Sequence, residues 1–186
     1  MSDWYPGGGG VHTNEPRYLV IRVYDDVFSR MGPKRRLIWE AARDAALAEW
    51  SASGLQFDVH LSDYKWETDF TDGQNHDQEI MAQLDPGSIV LRRHDGLASN
   101  HAGQGGYIDH YGDLDVNVGL AEFDIVKIGG YEQASFRRLI GHEFGHTLGF
   151  GHDVGGTGIM AWGYSPVSTG HVSDEEIAVA KEFYLG

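Results

Sequence analysis

The sequence predicts an α+β fold that forms one domain behind an irregular N-terminal arm. Its 186 residues suit one domain and leave little room for a second domain. Of these residues, 41% are hydrophobic and 23% are charged, which is enough apolar material for a sizeable core. Segments that alternate apolar and polar residues occur between segments with helical spacing. Four glycines at 7–10 and the polar residues after them predict a flexible arm over residues 1–16. Residues 17–186 are expected to fold as one domain.

The first part of this domain contains two predicted strands with a long helix between them. Tyr18–Tyr24 is rich in Val, Ile and Tyr and predicts a strand. Pro33 suits the first turn of a helix, and the Ala-rich segment after it predicts a helix as far as Ser53, ended by Gly54. Apolar and polar residues alternate over Leu55–Leu61, which predicts a half-buried strand.

The middle of the chain has weaker patterns. A short helix is one interpretation of Asp77–Leu84. The next segments predict a strand at Ser88–Arg93, a loop at Gly103–Gly106 and a further strand at Leu114–Val118.

Two helices are predicted in the C-terminal part. Helical spacing over Glu132–Leu148 predicts a helix that ends at Gly149. Ser173 and Glu176 have the spacing of a capping box, in which each side chain pairs with the other residue's backbone N–H. This pattern predicts the start of a last helix, which continues through Tyr184.

The composition excludes several classes of function. There are 28 acidic and 14 basic residues, so the net charge is −14, which repels phosphate backbones and argues against a nucleic-acid partner. The chain has no cysteine, which excludes disulfides, thiolate metal sites and a cysteine nucleophile. No apolar run reaches the roughly 20 residues of a membrane helix, so we expect no membrane insertion.

One segment, 142–153, carries a metal-binding pattern and reads His-Glu-Phe-Gly-His-Thr-Leu-Gly-Phe-Gly-His-Asp. His142 and His146 are four residues apart, so they project from the same face of a helix and can bind one ion. A turn after the helix can bring His152 to the same ion. Glu143 stands beside the first ligand, where it can act as a general base at the open coordination position. Three nitrogen ligands and one open position are typical of a catalytic zinc site. The alternative is a buried helix whose histidines form hydrogen bonds in the core, but packing alone gives no reason for these spacings.

The pattern HExxHxxGxxH, followed by a methionine-containing turn, resembles the metzincin clan of zinc endopeptidases. The turn is Thr157–Trp162, and its methionine is Met160. Within the clan, the sequence is similar to the catalytic domains of matrixins (matrix metalloproteinases) and to small bacterial metzincins. Met160 and Tyr164 keep the matrixin Met-x-x-x-Tyr spacing, and Asp174-Glu175 is similar to the acidic pair that opens the last matrixin helix.

The resemblance implies a particular version of the α+β fold. A twisted mixed sheet and two long helices would form an upper subdomain, and a small lower subdomain would end in the C-terminal helix. The zinc cleft would lie between the two subdomains. Met160 would form an apolar floor beneath the zinc ion without binding it.

The resemblance also implies where a substrate would bind. The pocket for the side chain after the scissile bond would be walled by Trp162, Tyr164 and Val172. The edge strand that pairs with the substrate would contain Leu114, Val116 and Val118, with Tyr107–Tyr111 as the alternative.

A second metal site is one interpretation of the segment 94–115, because matrixins bind calcium ions and a structural zinc ion in the matching loop. Carboxylate oxygens are suitable ligands for Ca²⁺. A solvated acidic loop with surface histidines is the other interpretation. The candidate ligands are His94, Asp95, His101, Asp109, His110, Asp113 and Asp115.

These features predict a zinc-dependent endopeptidase that cleaves proteins or peptides, with Glu143 as general base and an apolar residue preferred after the scissile bond. We expect a monomer that acts outside the cell as a mature secreted form, although the start of the chain has no signal-peptide pattern. A catalytically silent metzincin-fold module for binding or structure is the alternative, because fold alone does not determine function. A zinc hydrolase with a non-peptide substrate is a third reading.

Overall fold

The computed structural model describes residues 20–27, 31–61, 87–94, 97, 101–109, 117–153, 155–161 and 168–186. The predicted arm over residues 1–16 and the possible helix over Asp77–Leu84 lie outside these residues. The α+β class is confirmed for the described part of the chain. Its elements are β1 (Val20–Asp25), α1 (Pro33–Ser51), β2 (Gln56–Leu61), β3 (Ile89–His94), β4 (Gly103–Asp109), β5 (Asn117–Asp124), a 3₁₀ turn (Lys127–Gly130), α2 (Gln133–Thr147) and α3 (Asp174–Leu185).

The described strands form one mixed sheet in the order β2-β1-β3-β5-β4. β1, β2, β3 and β5 are parallel, and β4 runs antiparallel to β5. Val23 in the middle of β1 lies opposite Val59 of β2 and Ile89 of β3. Within this sheet, β2 and β4 are therefore the two outermost strands.

The core lies between the sheet and the two long helices, α1 and α2. Trp39 of α1 is wholly buried and meets Phe123 of β5 and Phe136 of α2 edge to face, with ring centroids 5.0 and 5.4 Å apart. Its indole N–H also donates a 2.9 Å hydrogen bond to Asp25 at the end of β1, and Arg43 donates to the same carboxylate at 2.6 Å. Buried aromatic side chains of this size dominate the energetics of a core, so this contact holds α1 against the sheet.

The sequence predicted most of the described helices and strands close to their observed positions. α1 begins with Pro33 in its first turn, and Gly54, with φ of 100°, leads the chain into β2. In β2, Phe57 and Val59 pack against the core while Gln56, Asp58 and His60 are exposed, as the pattern predicts, but Leu61 at the end of the strand is exposed as well. The capping box of Ser173 with its partner three residues later is present at the start of α3. No helix in the described part of the chain is long and apolar enough to cross a membrane.

The predicted loop at Gly103–Gly106 is wrong, because these residues form the first half of β4. Glycine has little intrinsic preference for strands, and the segment has no alternating apolar pattern from which a strand could be read. Pairing with β5 and packing against α2 hold the segment extended. These are contacts between residues far apart in the sequence.

The predicted edge strand also needs correction. β5 spans Asn117–Asp124 and lies between β3 and β4, so Val118, which is buried, belongs to an interior strand. Leu114 and Val116 lie outside the described residues. Of the described strands, β4 is the outermost on this side, and it overlaps the alternative segment Tyr107–Tyr111.

Candidate metal centre

The end of α2 and the turn after it bring three histidines together. His142 and His146 lie on one face of α2, with ring centroids 4.8 Å apart. Gly149 follows with φ of 90°, a left-handed conformation that glycine adopts without strain, and its N–H donates to the carbonyl of His146 at 3.0 Å. The chain reverses at this point. His152 is thereby placed against both helical histidines.

The three imidazoles converge through one nitrogen each. Nε2 of His152 lies 3.2 Å from Nε2 of His142 and 3.2 Å from Nε2 of His146. Nitrogens that bind one zinc ion tetrahedrally at about 2.0–2.1 Å are about 3.3 Å apart, so the spacing fits a single ion. Among the described residues, these histidines are the only group of three or more ligand-type side chains close enough to hold a metal.

Backbone carbonyls determine which nitrogen of each helical histidine carries the proton. Nδ1 of His142 is 2.8 Å from the carbonyl of Ile159, and Nδ1 of His146 is 2.7 Å from the carbonyl of Phe150. A carbonyl oxygen only accepts hydrogen bonds, so each Nδ1 donates its proton. Each Nε2 therefore presents a lone pair to the point of convergence. Carbonyl partners of this kind orient histidine ligands in metal sites.

Burial keeps these histidines neutral. Burial, together with the positive charges that His146 and His152 would carry if protonated, lowers the pKa of His142 to about 4, although its hydrogen bond to the carbonyl of Ile159 raises it. Burial is also the main cause that lowers the pKa values of His146 and His152. Since a metal binds the neutral imidazole, the group is ready to bind at neutral pH.

Glu143 lies next to the first histidine and is only 6% exposed. Burial raises the pKa of its carboxyl group to about 8, even though a hydrogen bond from the backbone N–H of Gly105 favours the ionised form. A cation nearby would act in the same direction as this hydrogen bond. A carboxyl group poised near neutral pH is suited to accept a proton and return it.

Met160 packs against α2, and its role as the floor of a zinc site stays a prediction of the resemblance. Its side chain is wholly buried against Gly145, the residue before His146 in α2. A Cβ atom at Gly145 would overlap the sulfur of Met160 and lie 2.9 Å from the ring of Trp50. Glycine at this position lets the methionine approach the helix between His142 and His146.

Glu176 is a site residue whose role the sequence did not reveal beyond its capping-box spacing. Its buried carboxylate accepts hydrogen bonds from the backbone N–H groups of Ile159, at 3.2 Å, and Met160, at 2.8 Å. It also accepts from the backbone N–H and hydroxyl of Ser173, at 2.6 and 3.0 Å. Because the carbonyl of Ile159 accepts from His142, Glu176 connects α3 to the first ligand.

The remaining substrate-site predictions are only partly covered by the structure. Val172 is half-buried against the core, and its N–H donates to Glu49 of α1 at 3.0 Å. Trp162 and Tyr164 lie outside the described residues, so the predicted pocket wall stays a prediction.

The candidates for a second metal site are also divided. His94 and His101 are described, and neither belongs to a described cluster that could hold a metal. Asp109 lies at the end of β4. The other four candidates, Asp95, His110, Asp113 and Asp115, lie outside the described residues.

Comparison with known proteins leaves the site to be interpreted on its own chemistry: no protein-family model matches the chain, and no curated protein matches it.

Proposed function

We propose that this protein is a zinc-dependent endopeptidase of the metzincin type. The observation that carries the proposal is the convergence of three neutral histidine nitrogens beside a buried glutamate that does not belong to the ligand group. A structural zinc site has four protein ligands, whereas three nitrogen ligands leave a position open for chemistry.

His142, His146 and His152 are the residues that would hold the metal, and their all-nitrogen donor set suits zinc. When bound, zinc supplies a Lewis acid that polarises a carbonyl group and makes a water molecule more acidic. Nδ1 hydrogen bonds to the carbonyls of Ile159 and Phe150 keep the two helical ligands in the orientation that this requires.

Glu143 moves the protons in the proposed reaction. It takes a proton from the attacking water as the water oxygen adds to the carbonyl carbon of the substrate. It then gives that proton to the amide nitrogen as the C–N bond breaks, so the carboxylate is restored. Its burial excludes bulk water from this exchange and strengthens its interaction with nearby charge.

β4 offers the edge on which an extended substrate would pair. The N–H of Asp124 donates to the carbonyl of Ala102 at 3.0 Å. In an antiparallel pair, residues that hydrogen-bond to the partner strand alternate with residues that do not, so every second residue after Ala102 bonds to β5. The backbone groups of Gly103, Gly105 and Tyr107 therefore point away from β5, and all of them except the N–H of Gly105, which donates to Glu143, are left to pair with a substrate. A peptide that adds to this edge would gain main-chain hydrogen bonds irrespective of its sequence, as expected for a protein substrate.

We further propose that the enzyme cuts before apolar residues. The pocket residues named from the resemblance, Trp162, Tyr164 and Val172, include no lysine or arginine that could pair with an acidic side chain. Burying a carboxylate there would lose its hydration without compensation, whereas a Leu, Ile or Phe side chain would gain about 1.5–3 kcal/mol.

Digestion of casein and of a peptide library, with and without a chelator, tests the proposal. We expect cleavage that a chelator abolishes and added zinc restores, with apolar residues dominating the position after each cut. Glu143→Ala should retain zinc and lose about 10²–10⁴-fold in activity, the usual effect of removing a general base. Glu182→Ala, an exposed glutamate in α3, is the matched control and should stay active. Zinc-loaded protein that cleaves no peptide would instead favour a binding module or a hydrolase with another substrate.

A further inference from the structure

We propose that Gly103 and Gly105 of β4 are positioning residues for Glu143: the backbone N–H of Gly105 orients its carboxylate, and the absence of side chains at both glycines leaves the space it occupies. The effect on catalysis rests on the proposed function. The contacts of the two glycines with Glu143 can be tested without any activity.

Gly105 connects β4 to α2 in two ways, through a hydrogen bond and through a close approach of the two backbones. Its N–H points away from β5 and donates to the carboxylate of Glu143. A Cβ atom at Gly105 would overlap the backbone carbonyl oxygen of Glu143 and lie 2.9 Å from Cβ of His146. The strand can therefore come close enough for this hydrogen bond only with glycine at this position.

Gly103 makes room for the carboxylate itself. A Cβ atom there would lie 2.8 Å from Cγ and 2.9 Å from Oε1 of Glu143, closer than real Cβ contacts. Unlike at Gly105, the three nearest atoms here all belong to the glutamate side chain. An alanine at Gly103 would thus displace the carboxylate while leaving the backbone of α2 in place.

The glycines of β4 differ in the space around them according to the side of the strand that they face. Residues two apart in a strand face the same side, so Gly103 and Gly105 both face α2. Gly106 faces the other side, and a Cβ atom there would have nothing within 4 Å. The two glycines that face α2 are the ones with no space for a side chain, and the third provides a matched control.

One consequence is a link between substrate binding and base placement. β4, whose outer edge in the described sheet would pair with the substrate, is also the strand that contacts Glu143. A small shift of β4 relative to α2 would therefore move the base relative to the scissile bond. Misplacement of a reacting group by about 1 Å can cost on the order of 100-fold in rate.

The first experiment measures zinc content, kcat and KM on a peptide substrate for Gly103→Ala, Gly105→Ala and Gly106→Ala. We expect Gly103→Ala to retain zinc and KM while kcat falls about 10- to 100-fold, as for a misplaced catalytic group. Gly106→Ala should keep the wild-type values. A Gly103→Ala protein with wild-type kcat would overturn the proposal, as would an equal loss in Gly106→Ala.

The second experiment needs no activity and repeats the glycine substitutions in a Glu143→Ala background. Gly103→Ala should lower the Tm of the otherwise native protein and have little effect when Glu143 is alanine, because the atoms it contacts are gone. Gly105→Ala should lower Tm in both backgrounds, because it meets the backbone of α2. If Gly103→Ala lowers Tm equally in both, its role is purely structural. This outcome is independent of whether the protein cleaves peptides.

Discussion

The buried carboxylate of Glu176 in α3 accepts a 2.8 Å hydrogen bond from the backbone N–H of Met160. Its other oxygen accepts from the N–H of Ile159, whose carbonyl in turn accepts from Nδ1 of His142. The last helix is therefore connected to the candidate metal ligands by two consecutive hydrogen bonds. The segment between them, around Gly158, has no space for a side chain beside this carboxylate.

Glu176→Ala should weaken both the fold and the metal site. It leaves the buried N–H groups of Ile159 and Met160 without their acceptor, so we expect a loss of at least about 2 kcal/mol in the free energy of unfolding. The affinity for zinc should fall about 10-fold or more, as for other residues that orient ligands. Chemical denaturation and zinc titration measure the two effects.

Glu175→Ala is the matched control for this substitution. Glu175 is exposed and shares the first turn of α3, so it makes the same kind of favourable interaction with the helix dipole. Its loss should cost only about 0.3–1 kcal/mol. Equal effects of the two substitutions would mean that helix capping charge, and not the connection to Met160, explains the role of Glu176.

Gly145→Ala should destabilise the protein although it replaces glycine within a helix. In an open helix this change would stabilise by about 0.8–1 kcal/mol. Here the new methyl group would overlap the sulfur of Met160 and approach Trp50, and overpacking of this kind costs about 1–3 kcal/mol. Thermal unfolding measures the sign of the effect. Gly130→Ala, where nothing lies within 4 Å, should leave Tm nearly unchanged, and a stabilised Gly145→Ala protein would refute the tight packing.

His146→Ala should remove most of the bound metal. Elemental analysis of protein purified without added metal should find about one zinc ion per wild-type chain, as expected for one three-histidine site. A chelator should lower the Tm of the wild type, because an ion that binds only the folded state stabilises it, and should leave the variant unaffected. His60→Ala removes an exposed histidine of β2 and should keep the metal. Full zinc occupancy in His146→Ala would be incompatible with the ligand assignment.

Glu143 should make the stability of the metal-free protein depend on pH. Its pKa in the folded state is about 8, above the ordinary value of 4.5, so its contribution to stability is fully present below pH 4.5 and is lost as the pH rises through 8. Glutamine cannot ionise, so Glu143→Gln should gain stability relative to the wild type across this window. Denaturation of both chelated proteins from pH 5 to pH 9 measures the difference. Parallel profiles would show that the carboxyl group is not perturbed.

The sequence by itself determined the features that depend on short-range order. The four-residue spacing of His142 and His146 is a consequence of helical periodicity, and the capping box at Ser173 involves residues within one turn. Pro33 at the start of α1 and the alternation in β2 are equally local. These patterns act through backbone geometry and the burial of one face, and each can be read from a few consecutive residues.

Only the tertiary structure decided which strand lies at the edge beside the site and how Glu143 and His142 are held. Gly105 forms part of a strand because β5 pairs with it and α2 packs against it, and neither contact leaves a pattern in the glycine-rich segment itself. Glu176 has the local signature of a helix cap, yet it also binds Met160, which belongs to a separate turn. Hydrogen bonds and close contacts between distant segments depend on how the whole chain packs, so they cannot be predicted from local propensity.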